Sequence, residues 1–382
     1  MAFGKRIALL IFTVFILLIF AVLPVGAVES EGETLPKEYE DFLGSLDGSV
    51  TDKLPSSAFS DDPEGIGEAA AESIKPENII GMLFDLFFEG MKDVLPTLAI
   101  LLAVVILSAL INILSSYFPS MSRSVEYCTR LCAFCSISGI AVSCLSSLSS
   151  YFERLFAAVA SFLPLSAVLY AMGGNLNLAA SSSASLTVIL SICEFFCTKT
   201  VIPIFSVCLC LSLLSVFDGV GGIAGASISA TIRKWYMTAL SFLMIIMTFA
   251  LGASNLIGSK ADNLAMKGVK FAVSSFIPIS GGTLSATLGN LSASVEFLRG
   301  SVGVIGIAAL LLLLLPTVIE LALLRGVFAI SSFCASILGC SGEAKLLSEI
   351  ESLYGYLEGI AALSAAVFIV AFAIFAKTAT PF

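Results

Sequence analysis

The sequence contains no histidine, and that absence removes several kinds of chemistry together. A His-Glu-x-x-His zinc site cannot be built, nor can a Ser-His or Cys-His nucleophile pair. A glycine-rich phosphate loop closing on Gly-Lys-Ser or Gly-Lys-Thr is also missing. Direct nucleotide binding, and a nucleotide-driven motor within this chain, are therefore not expected. Charge is equally scarce: 12% of the residues are Asp, Glu, Lys or Arg, against 58% hydrophobic, and mean hydropathy is +1.04. A water-soluble domain needs more charge to cover its surface.

What is present is a series of long apolar runs. Helical membrane spans need about 20 consecutive apolar residues, and such runs occupy 94–117, 131–149, 155–172, 184–217, 236–257, 302–324 and 356–376. The pattern predicts an all-α fold, a polytopic membrane helical bundle of about seven or eight spans over 94–382, with lipid as its surroundings. The fourth run is about 34 residues long, too long for one straight crossing at about 1.5 Å per residue. It holds Glu194, Lys199 and Pro203, so two short spans or one broken helix both fit.

Residues 1–27 have the layout of a signal peptide. Lys5 and Arg6 precede the apolar stretch Ile7 to Leu23, and Val25-Gly26-Ala27 forms a small-residue cleavage site. The apolar stretch is also long enough to serve as an uncleaved anchor. Residues 28–93 then form an acidic arm, extracytoplasmic if the signal delivers it, with 17 acids against 4 lysines. From Val94 onward there are 11 acids and 13 bases. The net charge of -9 thus belongs to one segment, whose sign repels phosphate, so nucleic acid is not an expected partner.

Within the arm, Tyr39, Phe42, Leu43 and Leu46 have the spacing of one short amphipathic helix. The rest has too little apolar content for a core of its own and reads as a flexible arm. From Pro76, Ile79, Ile80, Leu83, Phe84, Phe87, Phe88 and Met91 line one face, with Glu77, Asp85, Glu89 and Lys92 mainly on the other. That suits an interfacial helix leading into the first span, or an ordinary tertiary contact. Arg123 and Arg130 place the first loop in the cytoplasm. Further along, Arg233 and Lys234 compete with Lys260, Lys267 and Lys270, and charge bias leaves the topology open.

All ten cysteines lie between Cys128 and Cys340 and none lies in the exported arm, where a disulfide framework would be found. Free, lipid-buried thiols are expected. Cys128, Cys132 and Cys135 include a Cys-x-x-Cys, but an apolar helix offers neither a thioredoxin-like setting nor a full ligand set. No metal, cofactor or catalytic residue is assigned.

Charges inside the apolar runs are the remaining candidates, since an ionised group near mid-bilayer costs several kcal/mol unless paired or hydrated. Glu194 and Lys199 are close in the fourth run, Glu320 stands one turn beyond Pro316, and Arg325 ends that span. A translocation path would use such groups; structural ion pairs or snorkelling side chains would explain them too. Between 258 and 300 the chain forms an amphipathic or re-entrant segment. Lys260, Asn263, Lys267, Lys270 and Ser274 share one stripe, and Pro278 and Gly281-Gly282 break the chain. The stripe fits anionic headgroups, the wall of a water-filled path, or a solvated face. Glu194, Glu320, Lys260, Lys267 and Lys270 are thus the candidate pathway or interface residues. Gly300, Gly303 and Gly306, at every third position, mark close helix packing.

The run from Arg233-Lys234-Trp235, through Ala261 to Phe271, to Phe276-Ile277-Pro278-Ile279-Ser280-Gly281-Gly282 resembles the stage III sporulation protein AE family. So does Ser301-Val302-Gly303-Val304-Ile305-Gly306, which opens an apolar span containing Pro316. Order and spacing agree from about Leu95 to the C-terminus, and Asp262-Asn263 stands where the family pattern has Asp-Gly. The resemblance implies a protein of endospore-forming bacteria, made in the mother cell and seated in the membrane surrounding the forespore. It implies a subunit of a secretion-like transenvelope channel, or feeding tube, needed after engulfment. Its partners would be the other stage III channel subunits, including a separate ATPase. The residues themselves leave two alternatives: a stand-alone small-molecule or ion transporter, suggested by Glu194, Glu320, the kinked spans and the lysine stripe, and an intramembrane enzyme using the cysteine cluster.

Overall fold

The structure is a computed structural model that describes residues 36–60, 63–73, 76–117, 122–214, 221–276 and 281–377. The expected signal peptide, 1–27, lies outside the described residues. Among the described residues, nine α-helices longer than one turn carry the fold: α1 Lys37–Ser45, α2 Pro63–Ser73, α3 Pro76–Tyr117, α4 Ser122–Met172, α5 Leu176–Glu194, α6 Val201–Leu214, α7 Gly221–Phe276, α8 Gly281–Ile337 and α9 Ser341–Lys377. Among the described residues there is no strand.

Among the described residues, six stretches are long and apolar enough to cross a membrane: Gly81–Leu114, Leu131–Met172, Leu176–Leu213, Ser227–Asp262, Val295–Ile337 and Ser341–Lys377. The polytopic helical bundle expected from the sequence is what forms, but the count is six rather than seven or eight. The runs 131–149 and 155–172 belong to one unbroken helix, α4. The expected runs leave 150–154 between them, yet no proline or glycine stands there, and Arg154 pairs with Asp47 at 2.7 Å. The described part of the fourth run likewise lies in one continuous stretch, Leu176–Leu213. Its irregularity is a π-helical turn, Phe195–Thr200, joining α5 to α6 just ahead of Pro203. Proline has no N–H for the regular ladder, so a wider turn is tolerated there, and Tyr236 donates its hydroxyl to the Phe196 carbonyl at 3.0 Å.

A single break distinguishes these readings experimentally. Cysteines placed singly at Leu131 and Met172, both exposed, in a chain otherwise stripped of cysteine should label from opposite sides of the membrane. Labelling of both from one side would restore a break inside α4.

Helix α8 is the centre of the bundle and packs most extensively on the antiparallel α9. Small residues allow the approach: Gly303 lies against Ala376, and Gly306 lies under the ring of Phe372. Phe372 in turn stacks on Phe162 of α4 at 3.8 Å between ring centroids. Two ion-pair sets fasten the other half. Arg325 of α8 reaches Glu351 and Glu358 of α9 at 3.5 and 3.2 Å, and Arg233 of α7 reaches Glu349 of α9 at 2.9 Å. The α4–α5 and α8–α9 turns share one geometry. Gly174 and Gly339 adopt φ of 76° and 77°, and the next residue donates back across five positions, Asn175 N to Tyr170 O and Cys340 N to Ala335 O, each at 2.9 Å. Only glycine takes that left-handed conformation without strain, which is why both helices end there.

The acidic arm is not a flexible extension over its described part. The amphipathic helix expected around Tyr39 exists as α1, and Tyr39, Phe42, Leu43 and Leu46 are all buried. Phe42 meets Phe162 of α4 edge-on at 5.6 Å, and Ser45 Oγ donates to Ser161 Oγ at 2.6 Å. Tyr39 donates to the Ala58 carbonyl at 2.8 Å, and burial pushes its phenol above the ordinary range, so it remains a donor at neutral pH. Helix α2 packs on α8, with Gly67 under the ring of Phe297. Composition correctly denies the arm a core of its own; it completes the core of the bundle instead.

Candidate functional site

Helices α3, α4 and α8 splay apart around an open cleft of about 630 Å³. From α3 come Glu89, Asp93 and Thr97; from α4 come Ser143 and Cys144; from α8 come Pro316 and Glu320. Local sequence explains each contribution. Glu89 and Asp93 are spaced i, i+4 and so share one face of α3. Gly90 lets α8 approach, since a Cβ there would stand 2.8 Å from Leu323 Cδ1. Pro316 cannot donate to the carbonyl one turn earlier, which leaves an extra acceptor within α8.

The cleft is therefore rich in acceptors and short of cations. Three carboxylates on one apolar-walled surface repel each other, and a cation, shared protons or water relieves that repulsion. Among the described residues no group of His, Cys, Asp and Glu is gathered tightly enough to hold a metal ion. What the arrangement offers is a groove whose charged lining residues are all carboxylates, Glu89, Asp93 and Glu320.

The structure brings only one of the sequence candidates into this cleft, Glu320. Glu194 is exposed on α5 and Lys199 is exposed in the π-turn; among the described residues no ion pair joins them. Lys260 and Lys267 are exposed on α7, and the side chain of Lys270 lies outside the described residues. Helix α7 continues unbroken through this lysine stripe to Phe276. Arg325 holds structural ion pairs with α9, as above. Glu89 and Asp93, the two carboxylates that accompany Glu320, were not among the sequence candidates. The available signal was the Asp85, Glu89, Asp93 series at four-residue spacing, running directly into an apolar run.

Asp262 has a further, structural role. Its buried carboxylate accepts from Asn177 N at 3.0 Å, Asn177 Nδ2 at 2.9 Å and Leu178 N at 2.8 Å. These N–H groups open α5, and Asn175 in the capping position makes no side-chain capping bond. A carboxylate from α7 thus caps α5 and favours its positive dipole end. All ten cysteines are free. Cys128, Cys132 and Cys135 are exposed along α4, on the outer surface of the bundle.

No curated protein and no solved structure matches the chain. The family model for stage III sporulation protein AE matches residues 67–379, which takes in all six spanning stretches, the cleft and the Asp262 cap. On that match the chain, a polytopic helical membrane protein, belongs to the stage III sporulation protein AE family.

Proposed function

We propose that this protein is an integral-membrane subunit of a secretion-like transenvelope channel between mother cell and forespore, required for spore formation after engulfment. The carrying observation is the family match across the whole six-helix bundle. The multi-pass architecture suits a subunit held in the mother-cell membrane around the forespore. The missing phosphate loop suits a complex whose ATPase is a separate chain. The other stage III channel subunits and membrane lipid are its partners in this reading. Deleting the gene in a sporulating host should arrest development after engulfment, and the wild-type gene should restore it. Normal spores from the deletion strain would overturn the proposal.

The acidic cleft favours a second reading, a stand-alone cation transporter, because Glu89, Asp93 and Glu320 converge on one groove. Purified protein in liposomes separates the two. Cation uptake without other subunits, abolished by Glu320→Gln, supports the transporter; silent liposomes together with a sporulation arrest support the channel subunit.

A further inference from the structure

Arg299 heads the large, fully buried side chains among the described residues, 1% exposed near the start of the buried stretch of α8. Its guanidinium lies over the ring of Tyr170, 5.3 Å from the centroid. Stacking covers a face of the group and leaves its in-plane N–H edge to be satisfied. Among the described residues neither Nε nor Nη2 has a hydrogen-bond partner. These two nitrogens carry parallel N–H bonds on one edge of the guanidinium, the edge that grips two oxygens of a single oxyanion. Arginine does not escape such burial by losing its proton, so a charge of this kind requires a counter-ion.

Glu296 lends the guanidinium some opposite charge, but among the described residues no acid closes that edge. Asp262 is committed to the N-terminus of α5, and Glu296, half-buried one turn earlier on α8, makes no hydrogen bond to either nitrogen. Lys260 precedes Asp262 by two residues, and Lys377 follows Ala376, the residue seated on Gly303; both lysines are exposed at this same end of the bundle. Glu68 and Glu72 of α2, which packs on α8 beside Phe297, bring acids to the same region, so the charge around the buried arginine is mixed.

We propose that the Nε–Nη2 edge of Arg299 holds a phosphate-type oxyanion, supplied by an anionic lipid headgroup or by free phosphate. The anion completes the packing of α4, α8 and the end of α9, and it stabilises the bundle by binding the folded state alone. This inference is independent of the channel proposal, since it is read in the purified protein.

The test uses the full chain in neutral detergent, with thermal unfolding as the readout. One arm adds low-millimolar sodium phosphate against sodium chloride of equal ionic strength. The other adds phosphatidylglycerol against phosphatidylcholine. Wild type should gain about 4 °C in Tm in at least one arm. A gain only with phosphatidylglycerol assigns the headgroup, and a gain with inorganic phosphate assigns the free ion. Arg299→Leu should show no gain, and its own Tm should equal or exceed that of ligand-free wild type, because an uncompensated buried charge is gone. This variant also controls for the general salting effect of phosphate. Should the leucine variant fail to fold, Arg299→Gln replaces it, keeping length while losing charge and fork. An equal gain in the variant, or no gain in wild type from either source, overturns the proposal.

Discussion

Replacing Gly303 by valine should drive α8 and α9 apart and destabilise the protein by about 3 kcal/mol or more. The first added carbon already decides the direction. A Cβ at this position would stand 2.7 Å from Ala376 Cβ and 3.1 Å from Ala376 Cα. Neither atom lies at the end of a flexible side chain, so the helix axis must move. At Gly306 the obstacle is different: the Cβ would meet the ring of Phe372 at 2.6 Å, and that ring is stacked on Phe162. Gly306→Ala should therefore be partly absorbed by rotation of Phe372, whereas Gly303→Val should not. The measurement is Tm in detergent with the monodisperse yield after solubilisation. A Gly303→Val protein that unfolds with wild type would show that this contact does not hold the bundle together.

Removing Glu349 should be the second severe change, at about 3 kcal/mol. Its carboxylate is the acid paired with Arg233, whose side chain is only 8% exposed. With Glu349→Ala, Arg233 retains only the backbone carbonyls of Ser229 and residue 349, each at 3.4 Å. A buried cation is left without its counter-charge, and the loss exceeds what the pair contributed when intact. The double change Arg233→Met with Glu349→Leu should recover most of the stability, since apolar side chains of similar length occupy the α7–α9 seam without a desolvation penalty. Unfolding temperatures of the two single variants and the double variant form the decisive cycle. Equal Tm for Glu349→Ala and the double variant would show that the charge at Arg233 has no cost when alone.

Several features of the fold were legible along the chain because they are local. The apolar runs declared the helices, the Gly300, Gly303, Gly306 series declared a close helix contact, and the proline and glycines after Phe276 marked the end of α7. The expected and observed span counts part company at 150–154. Glu153 and Arg154 interrupt a run of hydropathy without interrupting backbone hydrogen bonding, so one long helix was divided into two. In the arm, sparse apolar residues were weighed against a core of their own, although the bundle supplied the other half of it. The candidate site shows the same boundary. Glu320 is conspicuous within its own span, but Glu89 and Asp93 look like the polar face of a surface helix until α8 is placed beside them.

By itself, the sequence determined that this is an all-helical membrane protein, that histidine-based and phosphate-loop chemistry are closed to it, and where its helices approach most closely. Only the tertiary structure decided which polar groups meet: Glu320 with Asp93 around a cleft, Arg233 with Glu349, Asp262 with the start of α5, and Arg299 with the ring of Tyr170. The physical reason is that helix periodicity assigns each side chain to a face, whereas the rotation and crossing of separate helices decide which faces come together.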